Sequence, residues 1–102
     1  MSVLMTLYVK GDPKRLEQYA SEHRDKMAEI ADRGKAAGAI SHRFYGSDDD
    51  GSILVIDEWD SPESFQRFFE SDTDIPQLMQ EVGVTSEPRV TFHRKLETHD
   101  EF

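Results

Sequence analysis

Residues 53–65 read Ile-Leu-Val-Ile-Asp-Glu-Trp-Asp-Ser-Pro-Glu-Ser-Phe. The first four are aliphatic without interruption, whereas an antiparallel strand with one solvated face alternates apolar and polar side chains. Ser61 is typical of a helix N-cap, and Pro62 suits the first helical turn. This stretch therefore predicts a strand from Ser52 to Trp59 that is buried on both faces and leads into a helix.

The residues before this strand predict a hairpin. Residues 39–46 alternate as a strand does, and residues 47–51, Ser-Asp-Asp-Asp-Gly, are turn residues that end in Asp-Gly. Residues 39–59 are therefore interpreted as two antiparallel strands. The Asp48-Asp49-Asp50-Gly51 run is assigned to this turn rather than to a calcium loop, because strand residues follow it where an EF-hand loop would continue.

The N-terminal third predicts a strand and a long helix. Residues 3–9 are β-prone and apolar, and Asp12-Pro13 supplies an N-cap followed by proline. Apolar or small residues then recur with a period near 3.6, which predicts one amphipathic helix from residue 13 to about residue 35. Those residues are Leu16, Tyr19, Ala20, Met27, Ile30, Ala31 and Gly34.

The C-terminal third predicts a short helix over residues 77–82 that ends at Gly83, a last strand over residues 89–96 and a loose tail, residues 97–102. The element order is β-α-β-β-α-β. Residues 1–102 thus predict one α+β domain of the ferredoxin-like class, with an antiparallel sheet that carries both helices on one face.

The sheet needs a cover for its second face. The apolar runs of the first and third strands predict that both faces are buried, yet two helices can cover only one of them. The simplest cover is a second copy of the chain, packed sheet against sheet. The sequence therefore predicts a homodimer.

Composition narrows the classes of partner. Acidic residues outnumber basic ones 21 to 12, giving a formal net charge of -9, which disfavours nucleic acid and anionic membranes as partners. The chain has no cysteine, which removes disulfides, thiolate nucleophiles and Cys-ligated metals. The first ten residues show no signal-peptide pattern, so we expect a cytoplasmic protein.

Two histidines are candidate general bases, each with an ordinary structural alternative. The helical period places His23 on the face of Leu16 and Met27, where it could take a proton or be a hydrogen-bonded histidine at the edge of the core. His42 lies in register with Phe44 on the second strand. It is either a pocket residue or a dimer-interface residue, since alternation alone does not assign its sheet face.

Aromatic and charged residues could complete a pocket. Tyr8, Tyr19, Tyr45 and Trp59 could surround a flat ligand, although core packing is the commoner role of such side chains. Asp57 shares a sheet face with Trp59 and would need a partner if it were buried. Arg43 is one possible partner. Neither the histidines nor the carboxylates form a metal-binding pattern, and no phosphate-loop or dinucleotide fingerprint is present, so we predict no cofactor and no metal.

Three stretches resemble the dimeric α+β barrel superfamily, and specifically its antibiotic-biosynthesis-monooxygenase-like domains. They are residues 9–11, Val-Lys-Gly before the long helix, residues 38–45, Gly-Ala-Ile-Ser-His-Arg-Phe-Tyr, and residues 53–65. The last is the most specific, because a hydrophobic strand ending in Glu-Trp-(Asp/Glu)-Ser before a helix is a frequent signature of this group. The resemblance is specific for fold and weak for reaction.

The superfamily includes cofactor-free oxygenases, haem-degrading oxygenases, cyclases and lactone isomerases. Haem degraders resemble this chain at Trp59 but use an asparagine on the first strand and a histidine near the second helix. This chain contains no asparagine, and no histidine lies between His42 and His93. The resemblance therefore argues against haem degradation.

The resemblance implies a cofactor-independent monooxygenase that acts on an electron-rich aromatic molecule such as a quinol or a polyketide. His23 or His42 would be the base, Trp59 and Tyr8 would shape the pocket, and Arg43 could steady the substrate anion. Two other functions fit the same frame. One is a cyclase or isomerase that uses no oxygen, and the other is a dimeric small-ligand-binding protein without enzymatic activity.

Overall fold

The computed structural model describes all residues 1–102 and contains a four-stranded antiparallel sheet with four helices. The strand order is β2-β3-β1-β4, and every neighbouring pair is antiparallel. The predicted ferredoxin-like α+β class is confirmed. In chain order the elements are β1 (Val3–Lys10), α1 (Pro13–Glu22), α2 (Arg24–Ala37), β2 (Ala39–Ser47), β3 (Ser52–Trp59), α3 (Pro62–Ser71), α4 (Asp74–Glu81) and β4 (Arg89–His93).

The core lies between the helices and one face of the sheet. Alternate residues of β1 and β3 point into it. Residues of α1, α3 and α4, together with Val82 directly after α4, pack against them from the helix side. Trp59 and Met5 are its most completely buried large side chains. The buried hydrophobic set is Met5, Leu7, Val9, Leu16, Ile53, Val55, Trp59, Phe65, Leu78 and Val82.

The local signals around β3 act as predicted. Gly51 closes the hairpin with φ 68°, a left-handed conformation that favours glycine. Ser61 lies at the N-cap of α3, where its hydroxyl accepts a hydrogen bond from the Ser64 backbone N–H at 3.2 Å. The strand from Ser52 to Trp59 has the predicted bounds.

Three predicted elements are wrong in extent. The short helix predicted over residues 77–82 is α4, which begins at Asp74 and ends at Glu81. The single helix over residues 13–35 is broken at His23, whose φ of -129° and ψ of 48° leave the helical region and separate α1 from α2. The last strand ends at His93 instead of residue 96. His93 pairs with Leu4, one residue from the beginning of β1, so the residues after it have almost no neighbouring strand left to pair with.

The second face of the sheet is not covered by any element of the chain. Leu4 and Tyr45 are exposed there, and Leu54 and Ile56 are only partly buried. An apolar surface in the middle of a sheet is costly to leave in water. We call this surface, formed by Leu4, Thr6, Tyr8, Arg43, Tyr45, Leu54 and Ile56, the open face.

None of the helices combines the length and the apolar character that crossing a membrane requires.

Candidate functional site

The side chains of His42 and Asp57 meet on the helix-covered face of the sheet. They are directly opposite residues of β2 and β3. The Nδ1 atom of His42 lies 2.6 Å from Oδ1 of Asp57, a short distance typical of a charge-assisted hydrogen bond. Asp57 is 5% exposed, whereas the side chain of His42 is 45% exposed. The pair therefore joins a buried carboxylate to an imidazole that solvent or a ligand can reach.

Trp59 holds the other oxygen of the same carboxylate. Its indole Nε1–H donates to Oδ2 of Asp57 at 2.9 Å. Trp59 is 2% exposed, and the rings of Phe65 and Phe68 pack against it with centroid distances of 5.5 and 5.7 Å. This packing fixes the indole, so the carboxylate has a donor on each oxygen and little freedom to rotate.

This arrangement assigns a role to each nitrogen of His42. A carboxylate can only accept hydrogen bonds, so Nδ1 carries the proton that Asp57 receives. In the neutral ring Nε2 is then an acceptor with a free lone pair. No side chain or backbone group of the chain bonds to Nε2. The geometry is that of a base whose tautomer and orientation are set by a buried carboxylate.

A cleft of about 280 Å³ lies between the beginning of α1 and the hairpin, and His42 adjoins it through Phe44 without lining it. Phe44 follows His42 on the same sheet face and lines this cleft, and the two rings meet edge to face with centroids 4.8 Å apart. Gly46 allows α1 to approach, because a Cβ at this position would lie 2.6 Å from Cβ of Pro13. The cleft thus has an aromatic wall next to the candidate base.

A second and larger cleft, of about 650 Å³, lies at the hairpin end of β1. It is open, and it is lined by backbone and polar groups such as those of Lys10, Asp12 and Thr85, with no hydrophobic residue. Size alone would favour it. Small-molecule sites are usually lined by apolar and aromatic side chains, so the smaller cleft beside His42 is the better candidate for an aromatic ligand.

The structure does not bring the remaining predicted site residues to this cleft. His23 is exposed at the α1–α2 break, and its ring packs on Tyr19 with a centroid distance of 4.2 Å. The prediction that His23 faces the sheet is wrong, because the helical period that predicted it ends at this residue. Tyr19 is partly buried and packs at the edge of the core.

Tyr8 and Arg43 lie on the open face, on the opposite side of the sheet from Trp59 and His42. In the register, Tyr8 is opposite Leu54 and Arg43 is opposite Ile56. The expected partnership between Arg43 and Asp57 is therefore wrong, and so is a pocket that combines Tyr8 with Trp59. Successive residues of a strand point to opposite faces of the sheet. Arg43 directly follows His42, and Tyr8 lies between the buried residues Leu7 and Val9, so both point away from the core.

Charged groups elsewhere form pairs that serve the fold. On the open face, Lys10 and then Tyr8 hydrogen-bond to Asp50, which holds the pKa of the Asp50 carboxyl well below its usual range. Arg33 joins α2 to the α3–α4 connection by contacting Asp72 at 2.8 Å and Asp74 at 2.7 Å. The Arg33 hydrogen bond lowers the pKa of Asp74. No group of three or more His, Asp and Glu side chains converges with the geometry of a metal site.

Comparison with known proteins identifies the fold. No family model matches the chain, and no curated protein matches it significantly. Solved structures do match over nearly the whole chain. The protein Rv0793 of Mycobacterium tuberculosis is 17% identical, with a TM-score of 0.59 over 98% of this chain and 100% of that one.

Two further structures have names that bear on the fold. A proposed antibiotic biosynthesis monooxygenase from Bordetella bronchiseptica is 14% identical, with a TM-score of 0.65 over 94% of this chain and 98% of that one. A dimeric ferredoxin-like protein from an uncultured marine organism is 16% identical, with a TM-score of 0.63 over 99% and 93%. The chain therefore has the fold of the antibiotic-biosynthesis-monooxygenase-like proteins, as residues 53–65 predicted.

Proposed function

We propose that the protein binds a small electron-rich aromatic molecule in the cleft beside Phe44 and removes a proton from it with Nε2 of His42. The observation that carries this proposal is the 2.6 Å contact between His42 Nδ1 and the buried Asp57, which leaves Nε2 free. Asp57 orients the ring and stabilises the imidazolium that forms. Trp59 keeps the carboxylate in place.

The reaction class that this base serves best is cofactor-independent oxygenation. Nε2 of His42 takes the proton of a phenolic hydroxyl, and the resulting phenolate transfers one electron to O₂. The substrate radical and superoxide then combine to form a C–O bond at the ring carbon para to the hydroxyl. Loss of the hydrogen on that carbon and cleavage of the O–O bond give a quinone and water, so the phenol and O₂ become a quinone and H₂O without an external reductant.

Oxygen uptake tests this proposal when a dihydroxynaphthalene is the probe and uptake without protein is subtracted. We expect uptake that falls at least about a hundred-fold in His42→Ala, in line with the usual contribution of a general base. Asp57→Asn should also lose activity, because the amide no longer selects the Nδ1–H tautomer. His23→Ala is the matched control and should retain activity.

The outcomes separate the three functions that the sequence left open. Uptake that is equal in His42→Ala and the native protein would contradict the assignment of the base. Without uptake, exchange of a substrate proton for solvent deuterium under argon that depends on His42 would favour a cyclase or isomerase. Binding of a probe with neither reaction would favour a ligand-binding protein without catalysis.

We also propose that the protein is a homodimer in which two open faces pack together. The support is the apolar surface of the open face and the dimeric ferredoxin-like relative of the same fold. Leu54→Arg places a charge in the centre of this surface and should give a monomer by light scattering, whereas Leu96→Arg, in the exposed tail, should leave the dimer intact. A native protein that is monomeric at micromolar concentration would contradict this proposal.

A further inference from the structure

The cleft beside His42 combines apolar walls with charge of one sign. The apolar wall is formed by residues from α1 and from the hairpin, with the ring of Phe44 nearest to His42. Glu17 of α1 and Asp48 of the hairpin turn supply the charged groups, and no Lys or Arg lines the cleft. The complete lining is Pro13, Leu16, Glu17, Phe44, Tyr45, Gly46, Asp48 and Ile53.

The two carboxylates have no ion-pair partner within the chain. Neither Glu17 nor Asp48 forms an ion pair. Asp50, two residues after Asp48, is by contrast paired with Lys10 at 2.9 Å. Two unpaired carboxylates beside an apolar wall favour a cation and disfavour an anion, by the modest amount that is typical of solvent-exposed charges.

The course of β2 from His42 to the cleft places these charges away from the base. His42, Phe44 and Gly46 follow one another on the same face of β2, so they span roughly 13 Å at about 3.3 Å per residue. A phenol whose hydroxyl is at His42 and whose ring lies on Phe44 would direct its substituent toward the first turns of α1. The volume of the cleft, about 280 Å³, is at the small end of ligand pockets and suits a ligand with one or two rings.

We propose that this cleft selects a one- or two-ring phenol that carries a protonated amine and rejects phenols that carry a carboxylate or a phosphate. The orientation of the ligand rests on the proposed function, because it takes His42 as the group that meets the hydroxyl. The charge preference does not depend on catalysis. It follows from the position of Glu17 and Asp48 in the lining of an apolar cleft.

Three phenols of similar size and different charge test the preference: tyramine, para-ethylphenol and phloretate. Binding is followed by ¹H–¹⁵N NMR titration of the native protein, with the amides of Phe44 and Gly46 as reporters. We expect tyramine to bind about three- to ten-fold more tightly than para-ethylphenol, as for partly exposed charge pairs, and phloretate to bind most weakly. Added salt should reduce the difference.

The double variant Glu17→Gln and Asp48→Asn should remove the preference for tyramine without harm to the fold, because both side chains are exposed. The matched control is Glu22→Gln with Asp49→Asn, which changes the net charge equally at exposed neighbouring positions. The control should keep the preference. If it loses the preference as fully as the test variant, the overall charge and not the cleft is responsible, and the proposal fails.

Two other results would overturn the inference. One is phloretate that binds the native protein as tightly as tyramine, and the other is a set of shifted amides that excludes Phe44 and Gly46. Failure of the proposed function is recognised separately, in the oxygen-uptake and deuterium-exchange assays with His42→Ala. A retained preference for tyramine without turnover would contradict the proposed function and support the charge preference. Turnover that depends on His42, together with a preference for phloretate, would support the proposed function and contradict the charge preference.

Discussion

Replacement of Trp59 by phenylalanine tests whether the buried carboxylate depends on the indole. The change removes the Nε1–H that donates to Oδ2 of Asp57 at 2.9 Å, inside a region where Trp59 is 2% exposed. A buried acceptor left without its donor costs about 1–3 kcal/mol. The smaller ring leaves a void of roughly 40 Å³, which costs about 1 kcal/mol at ~24 cal/mol per Å³. The free energy of unfolding should fall by about 2–4 kcal/mol.

Urea denaturation followed by far-UV circular dichroism measures this loss, because the variant lacks the one tryptophan of the chain. The native protein and the variant are compared at one protein concentration, since a dimer unfolds with a concentration-dependent midpoint. At a slope of about 2 kcal/mol per molar urea, the midpoint should fall by about 1–2 M.

A double-mutant cycle separates the hydrogen bond from the void. In an Asp57→Ala background the substitution of Trp59 no longer leaves a carboxylate oxygen without a donor, so it should cost about 1–2 kcal/mol less than in the native background. Leu78→Ala, which removes buried apolar atoms elsewhere in the core, should cost the same in both backgrounds. An equal cost of Trp59→Phe in both backgrounds would refute the idea that the indole supports the carboxylate.

Three further substitutions test the local geometry and the ion pairs. Gly46→Ala should lower the free energy of unfolding by about 1–3 kcal/mol, measured in urea, because its Cβ would lie 2.6 Å from the ring of Pro13. Gly38→Ala should also destabilise the protein in urea, since φ is 123° and the new Cβ would meet a carboxylate oxygen at 2.6 Å. The pKa of Asp74 is lowered by Arg33, so its ion pair stabilises the fold above the unfolded pKa, near 3.8, and is lost as the pH falls through the folded value. The difference in urea midpoint between the native protein and Asp74→Asn should therefore be present at about pH 6 and shrink below about pH 4.

The fold was predictable because its signals are local. The uninterrupted apolar run of β3, the Asp-Gly hairpin turn and the Ser61-Pro62 start of α3 each specify an element without help from distant residues. The break at His23 was not predictable in this way. It contains neither glycine nor proline, and both flanking segments continue the helical pattern of the sequence.

The site was partly predictable, because two of its residues are linked by the hairpin register. Ser47 pairs with Ser52, and counting back from that pair places His42 opposite Asp57. The predicted turn could therefore have assigned the sheet face of His42. It would also have shown that Arg43, one residue later, points to the other face. The carboxylate's second partner, Trp59, follows from the same alternation, since residues two apart on a strand share a face.

The position of the ring proton on His42 tests the account most directly, because Nε2 can accept a substrate proton only if it does not already carry one. The measurement is a long-range ¹H–¹⁵N NMR spectrum of the histidine rings at a pH where His42 is neutral, with the signal assigned by comparison with His42→Ala. We predict the Nδ1–H tautomer in the native protein and a mixed population, or the Nε2–H tautomer, in Asp57→Asn. A native protein in which Nε2 of His42 carries the proton would contradict the account.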